Sequence, residues 1–278
     1  MKKCMITSTL ILLLIFCFAS CYSGQDVDEI KKRFEHYAPD SNVVAVLDSS
    51  TFYFADHTLR LCDIADGEET NNGYLFADGK LYFTTTKENG FFDYSLYVYT
   101  CDLYGNNKSL VFEKHGYKTH PWVAGNQESL YIEHYATNAV VASSRVIDSY
   151  NIVTGVYRTE ATGEAVRLSD YEKDAKGAYL CASENGVLSI VDQQKSATYT
   201  IDTAALARNA FNETLDGFDY SFCGFYATTN KMFLLYRIES SGTLYPHLIC
   251  EYIPDKNEAI FKLLYFADDI TTFYIEYL

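Results

Sequence analysis

The sequence predicts an all-β fold built from repeated units of several strands. The first observation behind this prediction is the composition: the 278 residues include 25 Tyr and 18 Phe, with one Trp and four Pro. Aromatic residues are enriched in pleated sheets, and proline interrupts them. The second observation is that the predicted strands are apolar on both faces. The third is an internal repeat of turns and strands.

The predicted strands are runs rich in β-branched and aromatic residues. The clearest are Val43–Leu47, Thr51–Phe54, Leu81–Thr86, Tyr94–Leu103, Leu130–His134, Leu188–Val191, Lys231–Ile238 and His247–Ile253. In Tyr94–Leu103, Leu96 and Val98 face one side of the strand. Tyr99 and Cys101 face the other side. A strand with one wet face would alternate between apolar and polar residues, so we expect these sheets to be covered on both faces.

Two segments predict helices. Asp26–Tyr37 has Ile30 and Phe34 at helical spacing, and its first turn is acidic. Asp202–Leu215 has small and apolar residues at helical spacing, and Asp202 is a suitable N-terminal cap. We expect the first helix to close one face of the domain or to hold it away from a membrane. We expect the second helix to be an insertion between two sheets.

A repeated pair of motifs organises the strands. The first motif is a turn that leads into a strand, as in Ala77–Phe83. The second is a strand that leads into a turn, as in Asp102–Asn106, which begins 21 residues after Leu81. Comparable pairs are Gly125–Tyr131 with Asn151–Gly155, Asn230–Phe233 with Tyr252–Asp255, Ser50–Phe54 with Cys62–Gly67, and Asn185–Leu188 with Asp192–Lys195. Five units in about 230 residues give a period of about 40–50 residues, which is typical of a β-propeller.

The repeat therefore predicts a β-propeller of irregular four-stranded blades, about five to six in number, with an N-terminal helix and one inserted helix. We expect the last strand, Thr271–Leu278, to pair with Val43–Leu47 and so to close the ring. The alternative is two tandem β-sandwiches, which would need a linker near the middle of the chain. The charged stretch Asp170–Gly177 is the candidate linker, and in a propeller it would be a loop between blades.

One repeat unit resembles a known group of proteins. The stretch Ala77–Glu113 begins ADGKLYFTTT and continues with LYVYTCDLYGNN. It is similar to the blade repeats of bacterial TolB-like or WD40-like propeller lipoproteins, and Asn126–Tyr157 shows the same pattern more loosely. The resemblance implies a propeller fold and export from the cytoplasm. It implies no activity, because propellers carry many functions.

The first 21 residues resemble a bacterial lipoprotein signal. Lys2 and Lys3 precede the mostly apolar run Met5–Phe18, and two small residues then lead into Cys21. The run is shorter than the stretch of about 20 residues that spans a bilayer, and the layout is that of a signal peptide. We expect Cys21 to be the lipidation site, with a fatty acyl group such as palmitate anchoring the mature chain to the cell membrane. Ordinary cleavage and a retained anchor are the alternatives.

The signal divides the chain into three parts. Residues 1–20 are the predicted signal peptide, residues 21–42 the lipidated N-terminus with a stalk and a short helix, and residues 43–278 the propeller-like domain. The protein is therefore expected at the cell membrane, facing outside the cytoplasm. Residues 21–278 contain 20 Lys and Arg against 37 Asp and Glu, a formal charge of −17. Phosphate backbones repel such a surface, so nucleic acid is not a predicted partner.

The cysteines beyond Cys21 do not form a recognisable framework. Their number is odd and their spacing is wide, and they are Cys62, Cys101, Cys181, Cys223 and Cys250. Each lies among strand-forming residues, where a free thiol behaves as a small buried hydrophobe. We therefore expect buried free thiols, with one long-range disulfide as the open alternative, and no cysteine metal site.

Candidate residues for catalysis or metal binding are few. The best histidine group is His115, His120 and His134, which fall on a loop and at a strand end. We interpret them as surface or hydrogen-bonded histidines, because a metal site would need two ligands on one face of an element. The acidic pairs are Asp63 with Asp66, Glu68 with Glu69, and Asp268 with Asp269, and we interpret them as solvated carboxylates. No catalytic, metal-binding or cofactor-binding residue is predicted.

Two functions remain open. The first is a non-catalytic, lipid-anchored propeller that presents a loop face to an envelope protein, a glycan or another extracellular ligand. The second is a cell-surface carbohydrate-active enzyme whose carboxylates converge at the channel of the propeller. That enzyme would need Asp or Glu on the innermost strands of several blades.

Overall fold

A computed structural model provides the structure of the protein. It describes residues 27–47, 50–61, 67–126, 128–136, 144–171, 179–184, 186–192, 195–227, 231–240, 244–267 and 273–278. The predicted signal peptide and Cys21 lie outside the described residues. So do Cys62, the pairs Asp63 with Asp66 and Asp268 with Asp269, and most of the predicted linker.

The described residues are mainly β-strands. In chain order these are β1 (Val43–Leu47), β2 (Thr51–Tyr53), β3 (Thr58–Arg60), β4 (Glu68–Ala77), β5 (Lys80–Gly90), β6 (Asp93–Asp102), β7 (Ser109–Tyr117), β8 (Trp122–Asn126), β9 (Ser129–Tyr135), β10 (Arg145–Asn151), β11 (Tyr157–Gly163), β12 (Tyr179–Glu184), β13 (Val187–Asp192), β14 (Ala197–Asp202), β15 (Tyr220–Ala227), β16 (Met232–Ile238), β17 (Tyr245–Ile253), β18 (Glu258–Ala267) and β19 (Phe273–Tyr277). The helices are α1 (residues 27–34) and α2 (Thr203–Leu215), and Leu168–Asp170 is a short 3₁₀ turn. All eight strands predicted as the clearest, and both predicted helices, are confirmed. None of the helices in the described part of the chain has the length and hydropathy of a membrane-spanning segment.

The strands form antiparallel sheets, which confirms the all-β prediction. Sheet A has the order β19-β1-β2-β3, sheet B β4-β5-β6-β7, sheet C β8-β9-β10-β11, sheet D β12-β13-β14 and sheet E β15-β16-β17-β18. The predicted pairing of the last strand is confirmed, because β19 is the neighbour of β1 in sheet A. Among the described residues, four of the sheets have four strands and sheet D has three.

The predicted repeat units correspond to these sheets. The first motif leads into the second strand of the sheet, and the second motif follows the third strand. In sheet B the β4–β5 turn consists of Asp78 and Gly79, which have φ values of 51° and 68°. Positive φ at both positions is the geometry of a type I′ hairpin turn. Sheets A and D are exceptions. In sheet A, Ser50–Phe54 leads into β2, which is third in the order that begins with β19. In sheet D, the second motif begins at Asp192, the last residue of β13, which is the second strand.

The described residues divide into two compact units. One, the three-sheet unit, contains the described residues of Val44–Lys176 and Thr272–Leu278 and therefore sheets A, B and C. The other, the helical unit, contains those of Met1–Val43 and Gly177–Thr271 and therefore both helices and sheets D and E.

Sheet B of the three-sheet unit is covered on both faces, as predicted. One face packs on sheet A, where Phe83 and Cys101 join Phe52 in a common apolar cluster. The other face packs on sheet C, where Leu96 and Val98 join further buried side chains. These are the faces that the alternation of Tyr94–Leu103 assigns to them. Burial on both faces explains why this strand lacks the polar alternation of a sheet with one solvated side.

The first strands of sheets A, B and C lie side by side. The backbones of β4 and β8 approach so closely that a Cβ atom on Gly125 would clash with the carbonyl oxygen of Tyr74 and would lie 2.9 Å from the Cβ atom of Leu75. A Cβ atom on Gly73 would likewise clash with Val123. On the other side of β4, the Tyr74 hydroxyl donates a hydrogen bond of 3.1 Å to Glu276 of β19.

The core of the helical unit joins both helices to sheets D and E. Ile30 and Phe34 of α1 pack with Leu206 and Phe211 of α2 on buried side chains of these sheets. This packing agrees with the prediction that the first helix closes one face. The Asp202 carboxylate accepts a hydrogen bond of 2.8 Å from the Ala205 amide, which confirms the predicted cap.

The cysteine prediction is correct for two described side chains and wrong for a third. Cys101 and Cys250 are free and buried, and burial raises the pKa of the Cys101 thiol to about 11. Cys223 is free but exposed. It lies in β15, at one edge of sheet E, where the pairing with β16 shifts between Phe222 and Gly224. The irregularity changes the direction in which the following side chains point, so strand composition alone misplaces Cys223.

Candidate functional site

Two cavities open at one end of sheets B and C in the three-sheet unit. Because β4 and β8 run side by side in the same direction, the β5–β6 turn, the β7–β8 connection and the end of β9 all lie at this end. One cavity has a volume of about 270 Å³ and the other about 380 Å³, and Tyr135 at the end of β9 lines both. We call this end of the two sheets the candidate face.

A buried carboxylate forms the floor of the smaller cavity. Asp148 of β10 accepts hydrogen bonds from His134 Nε2 at 2.9 Å and from the Thr159 hydroxyl at 2.7 Å. The Tyr157 hydroxyl also donates to Asp148, and the Tyr117 hydroxyl lies 3.2 Å from that of Tyr157. Because the Tyr157 hydroxyl donates its hydrogen bond to Asp148, the Tyr117 hydroxyl is the donor in its contact with Tyr157.

The hydrogen bonds keep Asp148 ionised. Burial raises the pKa of this carboxyl, but the hydrogen bonds from His134, Tyr157 and Thr159 outweigh burial and leave the pKa below its ordinary value of 3.8. Burial likewise raises the pKa values of Tyr117 and Tyr157, so both phenols stay protonated. His134 Nδ1 lies 3.2 Å from the Tyr135 carbonyl oxygen.

The rim of the smaller cavity is basic. Lys114, His115 and Lys118 line it in addition to His134. The Lys114 ammonium lies 5.3 Å from the centroid of the Tyr157 ring, within the range of a cation–π contact. The side chains of Lys114, His115 and Lys118 are exposed to solvent. The carboxylates near these groups are Asp148, on the floor of the same cavity, and Glu113, 3.8 Å from His115.

The larger cavity is an open cleft that combines aromatic and charged side chains. Trp122 is 46% exposed and its ring lies edge-on to Tyr135, at 6.5 Å between centroids. Arg145 donates a hydrogen bond of 3.2 Å to the Tyr135 hydroxyl and lies 3.4 Å from Glu133. Glu133 in turn accepts a hydrogen bond of 2.7 Å from the Leu168 amide. The arrangement fixes the positions of the polar groups around an exposed aromatic surface.

The β5–β6 turn adds two phenylalanines to the candidate face. Phe91 is 88% exposed, and Phe92 has a φ of 59°. Positive φ is strained for a residue with a large side chain, and such strain is concentrated at functional positions. The turn is connected to the rim of the smaller cavity, because Asn89 donates to Ser95 at 2.7 Å and Ser95 lies 2.7 Å from His115 Nδ1.

The structure shows where each predicted histidine and acidic pair lies. His115 and His134 line one cavity, whereas His120 Nε2 lies 3.1 Å from the Thr86 hydroxyl, and burial lowers the His120 pKa. The prediction of hydrogen-bonded histidines is confirmed for these residues. Within the described part of the chain, no three His, Cys, Asp or Glu side chains are grouped as metal ligands. Glu68 accepts hydrogen bonds from Thr85 and Tyr99, so it is not simply solvated.

The sequence analysis missed most residues of the candidate face. A signal for Asp148 exists, because aspartate is depleted in strands and this one interrupts the run from Val146 to Tyr150. Trp122, the single tryptophan of the chain, gave no signal of a cleft. Glu133 and Arg145 gave no signal, because their contact depends on the register of β9 against β10.

Carboxylates on the first strands of the sheets are the groups that a glycosidase would need. Sequence places Glu68 and Glu69 in β4, Glu184 in β12 and Glu276 in β19, whereas β8 and β15 contain neither Asp nor Glu. Glu68 and Glu276 both accept hydrogen bonds from tyrosines. Glycoside hydrolysis requires a pair of carboxyl groups on opposite sides of the scissile bond.

The comparisons with known proteins identify no relative. No protein-family model matches the chain, and no curated protein matches it. The chain is similar to MPT-1, a GDP-Man-dependent mannosyltransferase from Leishmania mexicana, at 10% identity and a TM-score of 0.24, with 71% of this chain and 69% of that chain covered. It is also similar to the WD40 domain of SCAP from fission yeast, at 8% identity and a TM-score of 0.26, with 83% and 75% covered. Superpositions this loose carry no argument about fold or function.

Proposed function

We propose that this chain is a lipid-anchored extracytoplasmic β-propeller protein that acts as a non-catalytic binding or scaffold module for an envelope protein or an extracellular ligand. The open cleft around Trp122 and Tyr135 is the observation that carries the proposal. Binding sites are concave, rich in aromatic side chains, and contain a few fixed polar groups. In this cleft the carboxylate of Glu133 and the guanidinium of Arg145 are already engaged, which suits recognition more than proton transfer.

Sheet packing within the three-sheet unit supports a propeller over tandem sandwiches. A sandwich pairs two sheets, each with one buried and one solvated face. Sheet B instead packs on sheet A with one face and on sheet C with the other. The first strands of these sheets are also adjacent, as they are around the axis of a propeller.

A photo-crosslinking experiment in cells tests the binding proposal. Benzoylphenylalanine replaces Trp122 in one variant and Val153 in a matched control. Val153 is 57% exposed and lies in the turn after β10, at the opposite end of sheet C. We expect a defined adduct from position 122 and none from position 153. Equal labelling of both positions, or no adduct from either, would contradict a specific binding face at this end of the unit.

The anchor is tested separately with a Cys21→Ser variant. The signal at residues 1–21 supports lipidation, because the apolar run is too short to span a bilayer. We expect wild-type protein in the membrane fraction, with incorporation of radiolabelled palmitate, and the variant in the soluble fraction without label. Wild-type protein that incorporates no palmitate label would rule out the lipid anchor.

A further inference from the structure

We propose that β14, the last strand of sheet D, binds an extended segment of a partner protein, which adds a fourth, antiparallel strand to that sheet. In the described part of the chain, sheets A, B, C and E each have four strands, whereas sheet D has three. The strand belongs to the helical unit. The inference therefore goes beyond the proposed function and does not depend on the cleft around Trp122.

The last strands of the other sheets have features that prevent further pairing. β3 has only three residues. Register shifts interrupt the pairing of β7 with β6, of β11 with β10 and of β18 with β17. Each of these three strands also contains a basic residue, namely Lys114, Arg158 and Lys262. Short strands, bulges and charged side chains are the usual means by which an exposed edge is kept from pairing with another chain.

β14 has none of these features. It has six residues, contains no lysine, arginine or proline, and pairs with β13 without a register shift. The side chains of Thr198 and Thr200 are exposed, and the one charged residue of the strand is Asp202 at its end. A regular edge of this kind is the arrangement to which an extended peptide adds as a further strand.

The backbone of β14 has hydrogen-bonding groups that point away from sheet D. The Thr203 amide donates a hydrogen bond of 3.1 Å to the Gly186 carbonyl oxygen, so these two residues are a hydrogen-bonded pair of the antiparallel ladder. Such pairs recur at every second residue, so Tyr199 also bonds with β13. The N–H and C=O groups of Thr198 and Thr200 therefore point to the open edge. Among the described residues, no backbone hydrogen bond to another element engages them.

The side chains along this edge favour a partner strand with β-branched and basic residues. Val191 of β13 pairs with Thr198 and is 36% exposed, so the open face of the sheet is lined by β-branched side chains. Such side chains on an added strand pack well beside Thr198 and Thr200. Asp202 is exposed at the end of β14 that adjoins α2, whereas Lys195 precedes the other end. A basic side chain of the partner therefore suits the position opposite Asp202.

A second copy of this chain fits the edge less well than a different partner. Each copy would bring a net charge of −15, and a charge of this size opposes self-association. β14 itself has no basic residue to place opposite Asp202 of another copy. A partner segment with basic residues has the complementary charge, so it is the occupant that we infer.

Binding of a synthetic strand tests the inference. The probe is a fluorescein-labelled peptide, Lys-Val-Thr-Val-Thr-Lys, whose first lysine is placed opposite Asp202 and whose threonines are placed opposite Thr200 and Thr198. We expect saturable binding to the purified protein in fluorescence anisotropy. N-methylation of the two threonines removes N–H groups that face β14 and should weaken binding about tenfold. N-methylation of the two valines, whose N–H groups face away from β14, is the matched control and should leave binding unchanged.

Two substitutions in β14 test whether the probe binds at this edge. Thr200→Pro removes an amide that points away from β13 and should weaken binding of the probe about tenfold. Thr200→Val keeps that amide and the β-branched shape, so it should bind the probe like the wild type. The methylated peptides leave the protein unchanged, so they test the inference even if Thr200→Pro does not fold.

Three results would overturn the inference. They are no binding of the probe at about 1 mM, equal binding of the two N-methylated peptides, and wild-type binding by a folded Thr200→Pro variant. A dimer of the chain in analytical ultracentrifugation that Thr200→Pro dissociates would overturn it too, because β14 would then pair with a second copy.

Discussion

Replacing Asp148 with asparagine tests whether the buried carboxylate holds the candidate face together. Asp148 accepts hydrogen bonds from His134, Tyr157 and Thr159, and these join β9 and β11 to β10. A hydrogen bond to a charged group contributes about 1.5–3 kcal/mol. Asparagine keeps one acceptor oxygen but presents an amide group to the remaining donors. The variant should therefore lose about 2–4 kcal/mol of unfolding free energy at pH 7, which corresponds to the loss of one or two hydrogen bonds to a charged group.

The pH dependence follows from the lowered pKa of Asp148. A carboxyl whose folded-state pKa lies below its unfolded value stabilises the fold at every pH above the unfolded value. That contribution is lost as the pH falls through the folded pKa, which here lies below 3.8. The free-energy difference between wild type and Asp148→Asn should therefore be present at pH 7. It should shrink towards zero as the pH falls below about 4, the ordinary pKa of aspartate.

Urea unfolding followed by tryptophan fluorescence measures this difference directly. The chain has one tryptophan, Trp122, and it lies in β8 of sheet C, so the signal reports the sheet that contains Asp148. Asp78→Asn is the matched control, because it removes the same charge from a turn position whose positive φ asparagine also tolerates. The control should stay within about 0.5 kcal/mol of the wild type. An Asp148→Asn variant as stable as the wild type at pH 7, or equally destabilised at pH 7 and pH 3, would refute the reasoning.

Three further predictions concern the backbone. Gly125→Ala should lose about 1–3 kcal/mol of stability, because the added Cβ atom on β8 would clash with β4. Gly90→Ala is the control and should keep the wild-type stability, because the space around Gly90 is open. Equal unfolding midpoints for the two variants would contradict the close approach of β8 and β4. Phe92→Gly should raise the free energy of unfolding in urea by about 1 kcal/mol, because glycine adopts positive φ without strain. Phe91→Ser should leave the free energy of unfolding unchanged, because Phe91 is exposed. A lower unfolding midpoint for Phe92→Gly would contradict this prediction and would show that the packing of Phe92 outweighs the strain. Deleting residues 271–278 removes β19, so it should lower the free energy of unfolding by at least roughly 2 kcal/mol, the contribution of one buried side chain, and should lower the melting temperature sharply. An unchanged melting temperature in calorimetry would count against the pairing of β19 with β1.

The apolar pattern of the sequence predicts the middle strands better than the edges. The middle strand β16 is predicted because neighbouring side chains bury both of its faces, which requires a continuous apolar run. β7 was not predicted, although it completes sheet B. It is an edge strand and almost all of its side chains are partly or fully exposed, so its composition is that of a polar loop. β7 forms because its backbone pairs with β6, and backbone pairing leaves no periodic pattern in the amino-acid sequence.

The candidate face was less predictable than the fold, because its contacts join residues far apart in sequence. The histidines were visible as a group, but the partner of His134 is Asp148, which is brought near it only by the register of β9 against β10. His57 shows the same limitation. Its ring is stacked 4.4 Å from Phe54 and 4.3 Å from Tyr104, and Tyr104 belongs to the turn after β6. A sequence pattern can indicate that a histidine is bonded, but the identity of its partner depends on how the sheets pack.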